Sequence, residues 1–348
     1  MKLKNKNIVI TGGAGFIGTN AAASLAKDNN VSIIDNLSRI GTSHNLEYLK
    51  NKFGVEFYKI DVTDKKKIFN FFKLKKKTDA VIHLAGQVAV TNSIAAPHYD
   101  FSVNAAGTIN ILEALRCNGI KPAFIYSSTN KVYGDLSQIP VKELKTRYDF
   151  KNKKIKGVAE NEQLDFYSPY GCSKGAADSY VKDYYRIYGI PAIVFRQSCI
   201  YGAFQFGVED QGWAAWLMAA LLFNKKISIY GTGKQVRDVL YISDLIGAYK
   251  LSLEKLDETA GEAFNIGGGC ENSVSLIEYL NFIVKKYGLN LKMEFKDWRQ
   301  GDQKLYISDN SKFAKICGWK PEISFETGID KLHKWLTSNI KLLQKIMR

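Results

Sequence analysis

The sequence predicts an α/β fold, a doubly wound parallel sheet followed by a smaller C-terminal lobe, and three observations carry that prediction. A short β-branched run, Asn7-Ile8-Val9-Ile10-Thr11, leads directly into Gly12-Gly13-Ala14-Gly15-Phe16-Ile17-Gly18 and then into helix-compatible residues Thr19 to Lys27. Similar runs recur at Val31 to Ile34, Val55 to Ile60, Ala80 to Leu84, Ala123 to Ser127 and Ala192 to Phe195, and the helix-compatible stretches Lys65 to Phe72, Asn104 to Cys117 and Gly175 to Tyr188 separate most of them. After Gly202 the alternation weakens, and aromatic, glycine and charged residues intermix. Alternating strand and helix implies parallel strands, right-handed crossovers and a ligand at the carboxyl edge of the sheet. A first domain is expected over residues 1–200, with 237–268 packing back on it, and a second lobe mainly over 201–348.

The first strand and its glycines read as a nucleotide site. Gly13-x-Gly15-x-x-Gly18 has the spacing in which glycines allow a tight turn, close backbone approach to a pyrophosphate and helix–strand packing. The helix start at Phe16 and Ile17 would then offer free N–H groups to phosphates. The second run ends in Asp35-Asn36, about twenty residues past the glycines, where a carboxylate accepts ribose hydroxyls and repels a 2′-phosphate. That favours NAD, while Arg39 nearby leaves NADP open. Asp61 and Val62 follow the third run, Ala85-Gly86-Gln87 the fourth and Ser128-Thr129 the fifth, so the candidates collect along one edge. The reading is a Rossmann-type domain.

Composition fits an enzyme without membrane or secretory features. The chain has 348 residues, enough for two lobes with a sizeable core. The apolar run Trp213 to Phe223 is too short to span a bilayer, and the N-terminus lacks the order of a signal peptide, so a cytoplasmic location is expected. Five cysteines without close pairing read as reduced thiols. The net charge of +15 raises nucleic-acid binding, with lysine runs at 65–67, 73–77 and 151–156. No helix-turn-helix, zinc-finger or RNP-type motif accompanies them, so a solvated lysine-rich surface is the expectation. The field would still favour encounter with an anionic ligand.

Thr129, Tyr170 and Lys174 supply the reaction. A phenol titrates near 10, so Tyr170 is a poor base until a cation favours its phenolate. Lys174, four residues on along a helix, shares its face. With Thr129 hydrogen-bonding the reacting hydroxyl, the pair would deprotonate an alcohol as its carbon passes hydride to a nicotinamide.

These residues resemble, over essentially the full length, the extended short-chain dehydrogenase/reductases that act on nucleotide sugars. The resemblance rests on residues 11 to 18, Asp35-Asn36, Asp61-Val62, His83-Leu84-Ala85, Tyr170-x-x-x-Lys174, and Arg237-Asp238-Val239 before Asp244. The segments 127–135, 168–178, 210–213 and 233–240 are similar to the CDP-paratose 2-epimerases, also called CDP-tyvelose epimerases. The resemblance implies NAD as cofactor and adds Leu84, Asn104, Ser127, Tyr170 and Lys174 to its contacts. It implies Gln87, Thr129, Asn130, Ser198, Gln211, Arg237 and Arg299 toward a CDP-sugar, the two arginines as diphosphate or nucleotide anchors, with Gly301 and Asp302 completing Arg-x-Gly-Asp. Many relatives carry Asn where Ser198 stands, and for the arginines surface salt bridging is the alternative. Related 4,6-dehydratases follow the threonine with Asp and Glu, the acids that remove water; here stand Asn130 and Lys131. The implied activity is C2 epimerisation of CDP-paratose to CDP-tyvelose through a 2-keto sugar, for surface polysaccharide. A homodimer or homotetramer through helices at 104–117 and 175–188 is implied as well.

Three alternatives stand beside this reading. A UDP-sugar 4-epimerase would use the same Thr129, Tyr170 and Lys174. A non-enzymatic NAD sensor would have no need of the Tyr–Lys pair. His83 and His98 lack a second ligand at metal-binding spacing, so His83 is expected as a packed core histidine and no metal is expected.

Overall fold

Alternating side chains along each strand explain why the main sheet is covered on both faces. Ile8 and Ile10 of β1 (Asn7–Thr11) and Ile33 of β2 (Asn30–Asp35) enter one core, whereas Val9 and Ile34 enter the other. In the computed structural model, which describes residues 1–346, these strands join β3 (Glu56–Lys59), β4 (Ala80–His83), β5 (Ala123–Thr129) and the strands Ala192–Gln197 and Ala263–Ile266 in one seven-stranded sheet. Its order is Ala263–Ile266, Ala192–Gln197, β5, β4, β1, β2, β3, and every neighbouring pair is parallel. The order reverses between β1 and β4, and such a switch point opens a crevice at the carboxyl ends.

The helices differ from the sequence expectation at their starts, because caps decide where a helix begins. The first runs Phe16–Leu25, earlier than Thr19, with Gly15 as its N-cap. The helix carrying Tyr170 runs Pro169–Tyr188 rather than from Gly175; the Ser168 hydroxyl accepts the Gly171 N–H at 3.2 Å, and Pro169 sits in the first turn, where its missing N–H leaves no partner wanting. Within 104–117 the α-helix is Gly107–Cys117, entered through one π-helical turn, Ser102–Ala106.

Residues 237–268 supply two elements to this body. Helix Ile242–Glu254 packs on Phe16–Leu25, and strand Ala263–Ile266 is the sheet edge. The rest of the C-terminal part builds small sheets, with Val236–Tyr241 pairing to Cys199–Tyr201, Ser273–Ser275 and Leu305–Tyr306, and Ile227–Tyr230 pairing to Met293–Lys296. Helix Trp213–Leu222 buries Ala214, Leu217 and Met218 in the core, and no helix among the described residues is long and apolar enough to cross a membrane. Lys65, Lys66 and Lys67 are exposed on a helix that buries Ile68, Phe71 and Phe72. All five cysteines are free thiols.

Candidate active site

The glycine turn shows why no other residue fits it. Gly12 has φ of +65°, and a Cβ there would lie 2.7 Å from the Ala85 nitrogen; a Cβ on Gly18 would lie 2.2 Å from the Gly12 carbonyl. Gly15 caps the following helix without a side-chain bond, and the first turn holds no acid, so its N–H groups remain open to an anion. Asp35 ends β2 and accepts N–H groups from Ala14 at 3.1 Å and Leu37 at 2.8 Å. Burial pushes its carboxyl up, and those hydrogen bonds and Arg39 pull the other way. Asn36 donates to Asp61 at 2.7 Å. Burial pushes Asp61 up too, but bonds from Thr63 and Asn36 outweigh it and leave this carboxyl below its usual range.

Gly12, Gly15, Phe16, Ile17, Gly18, Asp35, Asn36, Asp61, Val62, Leu84, Ala85, Gly86 and Ser127 line a groove of about 190 Å³. It is contiguous, through Phe16, Ile17, Ser127 and Gln211, with a cavity of about 560 Å³. The residues fit a dinucleotide: an uncapped helix start faces a strand-end carboxylate, and two buried amide oxygens on the wall, of Asn45 and Gln205, have no protein partner.

Gln87 and Asn104 are placed otherwise than as open ligand contacts. The Gln87 amide donates to the Ala89 carbonyl at 2.8 Å and to Asp100 at 3.1 Å, and its oxygen takes the Ala89 N–H. Asn104 exchanges bonds with the Gln87 backbone at 2.9 and 3.0 Å and donates to Asp100 and Ser173. Both side chains brace the segment after β4, because a buried loop must satisfy its own backbone polar groups.

Thr129, Tyr170 and Lys174 are buried and line the larger cavity together. Lys174 donates to the Ser127 carbonyl at 2.5 Å and its Nζ lies 4.3 Å from the Tyr126 ring centre. Burial pushes Lys174 down to about 7 and the Tyr170 phenol up to about 12, with a hydrogen bond from Thr129 and the charge of Arg39 opposing. The sequence reading gave Lys174 the part of lowering the phenol. In the structure desolvation prevails, and the ammonium is turned to Ser127. His83 is a core residue, bonded to Thr11 at 2.6 Å and Thr108 at 2.9 Å and pushed down to about 3 by burial. No group of three or more His, Cys, Asp or Glu among the described residues could hold a metal ion.

The far wall of the cavity is charged. Arg237 pairs with Asp302 at 2.5 Å and donates to the Gln303 carbonyl at 2.7 Å, and Arg299 pairs with Asp210 at 2.8 Å. Asn130 donates to Gln303 at 3.1 Å, while Ser198 donates to the Asp238 backbone at 2.9 Å. Gln211 lies where groove and cavity meet. Two cavity-wall residues escaped sequence reasoning. Lys131, noted there as a missing acid, donates to the Gly301 carbonyl at 2.9 Å and is pushed down to about 8 by burial. Tyr230 lies 3.8 Å beneath the Arg299 guanidinium; its place at the end of a short strand, just before Gly231, was the available signal.

A parallel sheet with a glycine turn after β1, an acid ending β2, and Tyr170 and Lys174 one helical turn apart beside Thr129 define the class of short-chain dehydrogenase/reductases. Residues 9–332 match the GDP-mannose 4,6 dehydratase family, and the chain belongs to it. It is 42% identical to a CDP-paratose 2-epimerase of Salmonella typhi, over 95% of this chain and 99% of that one. Among solved structures it is similar to the UDP-glucose 4-epimerase of Thermotoga maritima with UDP-glucose, with a TM-score of 0.82 and 29% identity over 96% of this chain and 99% of that one. The UDP-glucuronic acid 4-epimerase of Bacillus cereus, in complex with UDP-glucuronic acid and NAD, gives a TM-score of 0.82 and 26% identity, covering 95% and 99%.

Proposed function

We propose that the chain is an NAD-dependent isomerase that converts CDP-paratose to CDP-tyvelose at C2 through a transient 2-keto sugar (EC 5.1.3.10), for surface polysaccharide (O-antigen lipopolysaccharide). The observation that carries this reading is the end of β5. A complete Thr129, Tyr170 and Lys174 set stands beside Asn130 and Lys131, so the site has groups for redox chemistry at a carbinol and no acid pair at those two positions for eliminating water. The 42% identical relative, a CDP-paratose 2-epimerase, supports the choice of sugar and carbon.

NAD is the cofactor, and when bound it supplies the hydride acceptor and donor. The open N–H groups at Phe16 and Ile17 take its pyrophosphate and Asp35 its adenosine ribose. Lys174 holds the nicotinamide ribose, Thr129 bonds the C2 hydroxyl, and Tyr170 takes the hydroxyl proton and returns it. Arg237 and Arg299 anchor the diphosphate while the keto sugar turns to present its other face, and the cavity of about 560 Å³ leaves it room. In this division residues 1–200 with 237–268 serve the cofactor and 201–348 mainly the sugar nucleotide. A cytoplasmic homodimer or homotetramer completes the reading; exposed Tyr180, Tyr185, Ile187 and Tyr188 on helix Pro169–Tyr188 support association there.

The test is to mix purified protein with CDP-, UDP- and GDP-sugars and follow the anomeric and C2 protons by NMR. Inversion at C2 of a CDP-3,6-dideoxyhexose is expected. Product from a UDP-hexose alone would replace this reading with a 4-epimerase, which the same triad also serves.

A further inference from the structure

Two cations converge on one carboxylate at the cavity wall. Arg237 donates through Nη2 to Asp302 Oδ1 at 2.5 Å, and the Lys131 ammonium lies 3.8 Å from the same oxygen while donating to the Gly301 carbonyl at 2.9 Å. None of the three side chains is more than 22% exposed, and all three line the cavity. The other charges of this wall have partners of their own: Arg299 pairs with Asp210 at 2.8 Å, and the exposed Glu209 accepts the Tyr230 hydroxyl at 3.0 Å.

The wall is held together by bonds that do not involve the Lys131 charge. Arg237 Nη1 donates to the Val236 and Gln303 carbonyls at 2.8 and 2.7 Å, so the guanidinium stays in place whichever partner Nη2 has. The segment carrying Asp302 is tied to the end of β5 by Gln303, which is fully buried, donates to the Gly134 carbonyl at 2.7 Å and accepts from Asn130 at 3.1 Å. What Lys131 adds is a second positive charge beside Asp302. A carboxylate next to an anion site competes for the guanidinium and repels the incoming charge, and a neighbouring cation cancels both effects, the more strongly where water is largely excluded.

From this arrangement we propose that Lys131 is a positioning residue for a diphosphate: it holds the Asp302 carboxylate when the ligand takes up Arg237 Nη2, so that the guanidinium is free to act as an anchor. The proposal rests on the reading of Arg237 as a diphosphate anchor and adds the exchange of partners that lets it serve as one. Lys131 stands two residues beyond Thr129, so the end of β5 that presents the hydroxyl also governs the charge of the anchor.

The test is a binding cycle read by calorimetry on the purified protein, with CDP and UDP as probes, and it needs no turnover. Lys131→Met should weaken CDP by roughly tenfold, Lys131→Arg should keep near-parental affinity, and Asp302→Asn added to Lys131→Met should restore most of the loss, because the charge that Lys131 balanced is then gone. A residue that only braced the wall, or one that touched the ligand directly, would give a loss that Asp302→Asn does not recover. That result overturns the proposal, as does parental affinity in Lys131→Met or in Arg237→Ala. If Lys131→Met does not fold, a folded double variant with near-parental affinity supports the proposal, and a double variant that stays unfolded or binds weakly overturns it. UDP binding without CDP binding would sink the proposed function, while the same cycle run with UDP still decided the role of Lys131. Failure of both probes to bind the parent chain overturns the proposal.

Discussion

Arg299 and Asp210 join two segments of the cavity wall through an ion pair of 2.8 Å, with the guanidinium stacked on Tyr230. In the proposed reading an incoming diphosphate would offer the same guanidinium two charges in place of one and would exchange with Asp210. Arg299→Ala should raise KM for the sugar nucleotide by roughly 10-fold to 100-fold, the 1.5–3 kcal/mol of a charged hydrogen bond, with a smaller effect on kcat. An unchanged KM in steady-state kinetics would remove Arg299 from the binding site.

Asp35 lines the groove at the end of β2, where the proposed reading puts the adenosine ribose. Because in the proposed cycle hydride returns to the sugar, NAD would have no need to leave, and denatured protein should release it. Asp35→Ala should weaken NAD by about 1.5–3 kcal/mol through loss of a charge-assisted bond. Calorimetry on the stripped protein measures this, and release of NADP alone would contradict the assignment.

Tyr170→Phe removes the phenol oxygen to which the proposed mechanism assigns proton transfer, and keeps the ring. Turnover should fall by roughly 10²- to 10⁴-fold, with sugar-nucleotide affinity changed much less. Near-normal turnover would place the acid–base group elsewhere.

Hydride transfer and proton abstraction leave different isotopes at C2. Proton abstraction needs a C–H beside a carbonyl, which C2 of a CDP-3,6-dideoxyhexose lacks. Epimerisation in D₂O should leave C2 unlabelled, and deuterium placed at C2 should persist into product. Solvent deuterium at C2 by NMR would end the hydride mechanism.

His83 ties stability to acid. Its folded value near 3 lies below the ordinary 6.5, so its contribution is complete above about pH 6.5 and is lost as pH falls toward 3. The melting midpoint should decline across that window, as the unfolding free energy falls by up to about 1.4 kcal/mol per pH unit from this group alone. His83→Gln should flatten the decline; an unchanged pH profile would show that His83 does not report on unfolding.

The sequence by itself determined the glycine turn, the acid at the end of β2, the strand order's raw material and the helical spacing of Tyr170 and Lys174. Each of these is local: a φ that glycine alone adopts readily, a period of two or of 3.6 residues, a carboxylate at the end of an apolar run. The pairings were decided by tertiary structure. Arg237 meets Asp302 and Asn130 meets Gln303 across separations that no local pattern encodes. Gln87, adjacent to the cavity in sequence terms, turned inward to Asp100 because a buried carboxylate needs donors from whichever elements pack on it. For the same reason the electrostatics of Tyr170 and Lys174 were not legible: spacing puts them on one face of a helix, but desolvation by the surrounding elements sets the phenol near 12 and the ammonium near 7.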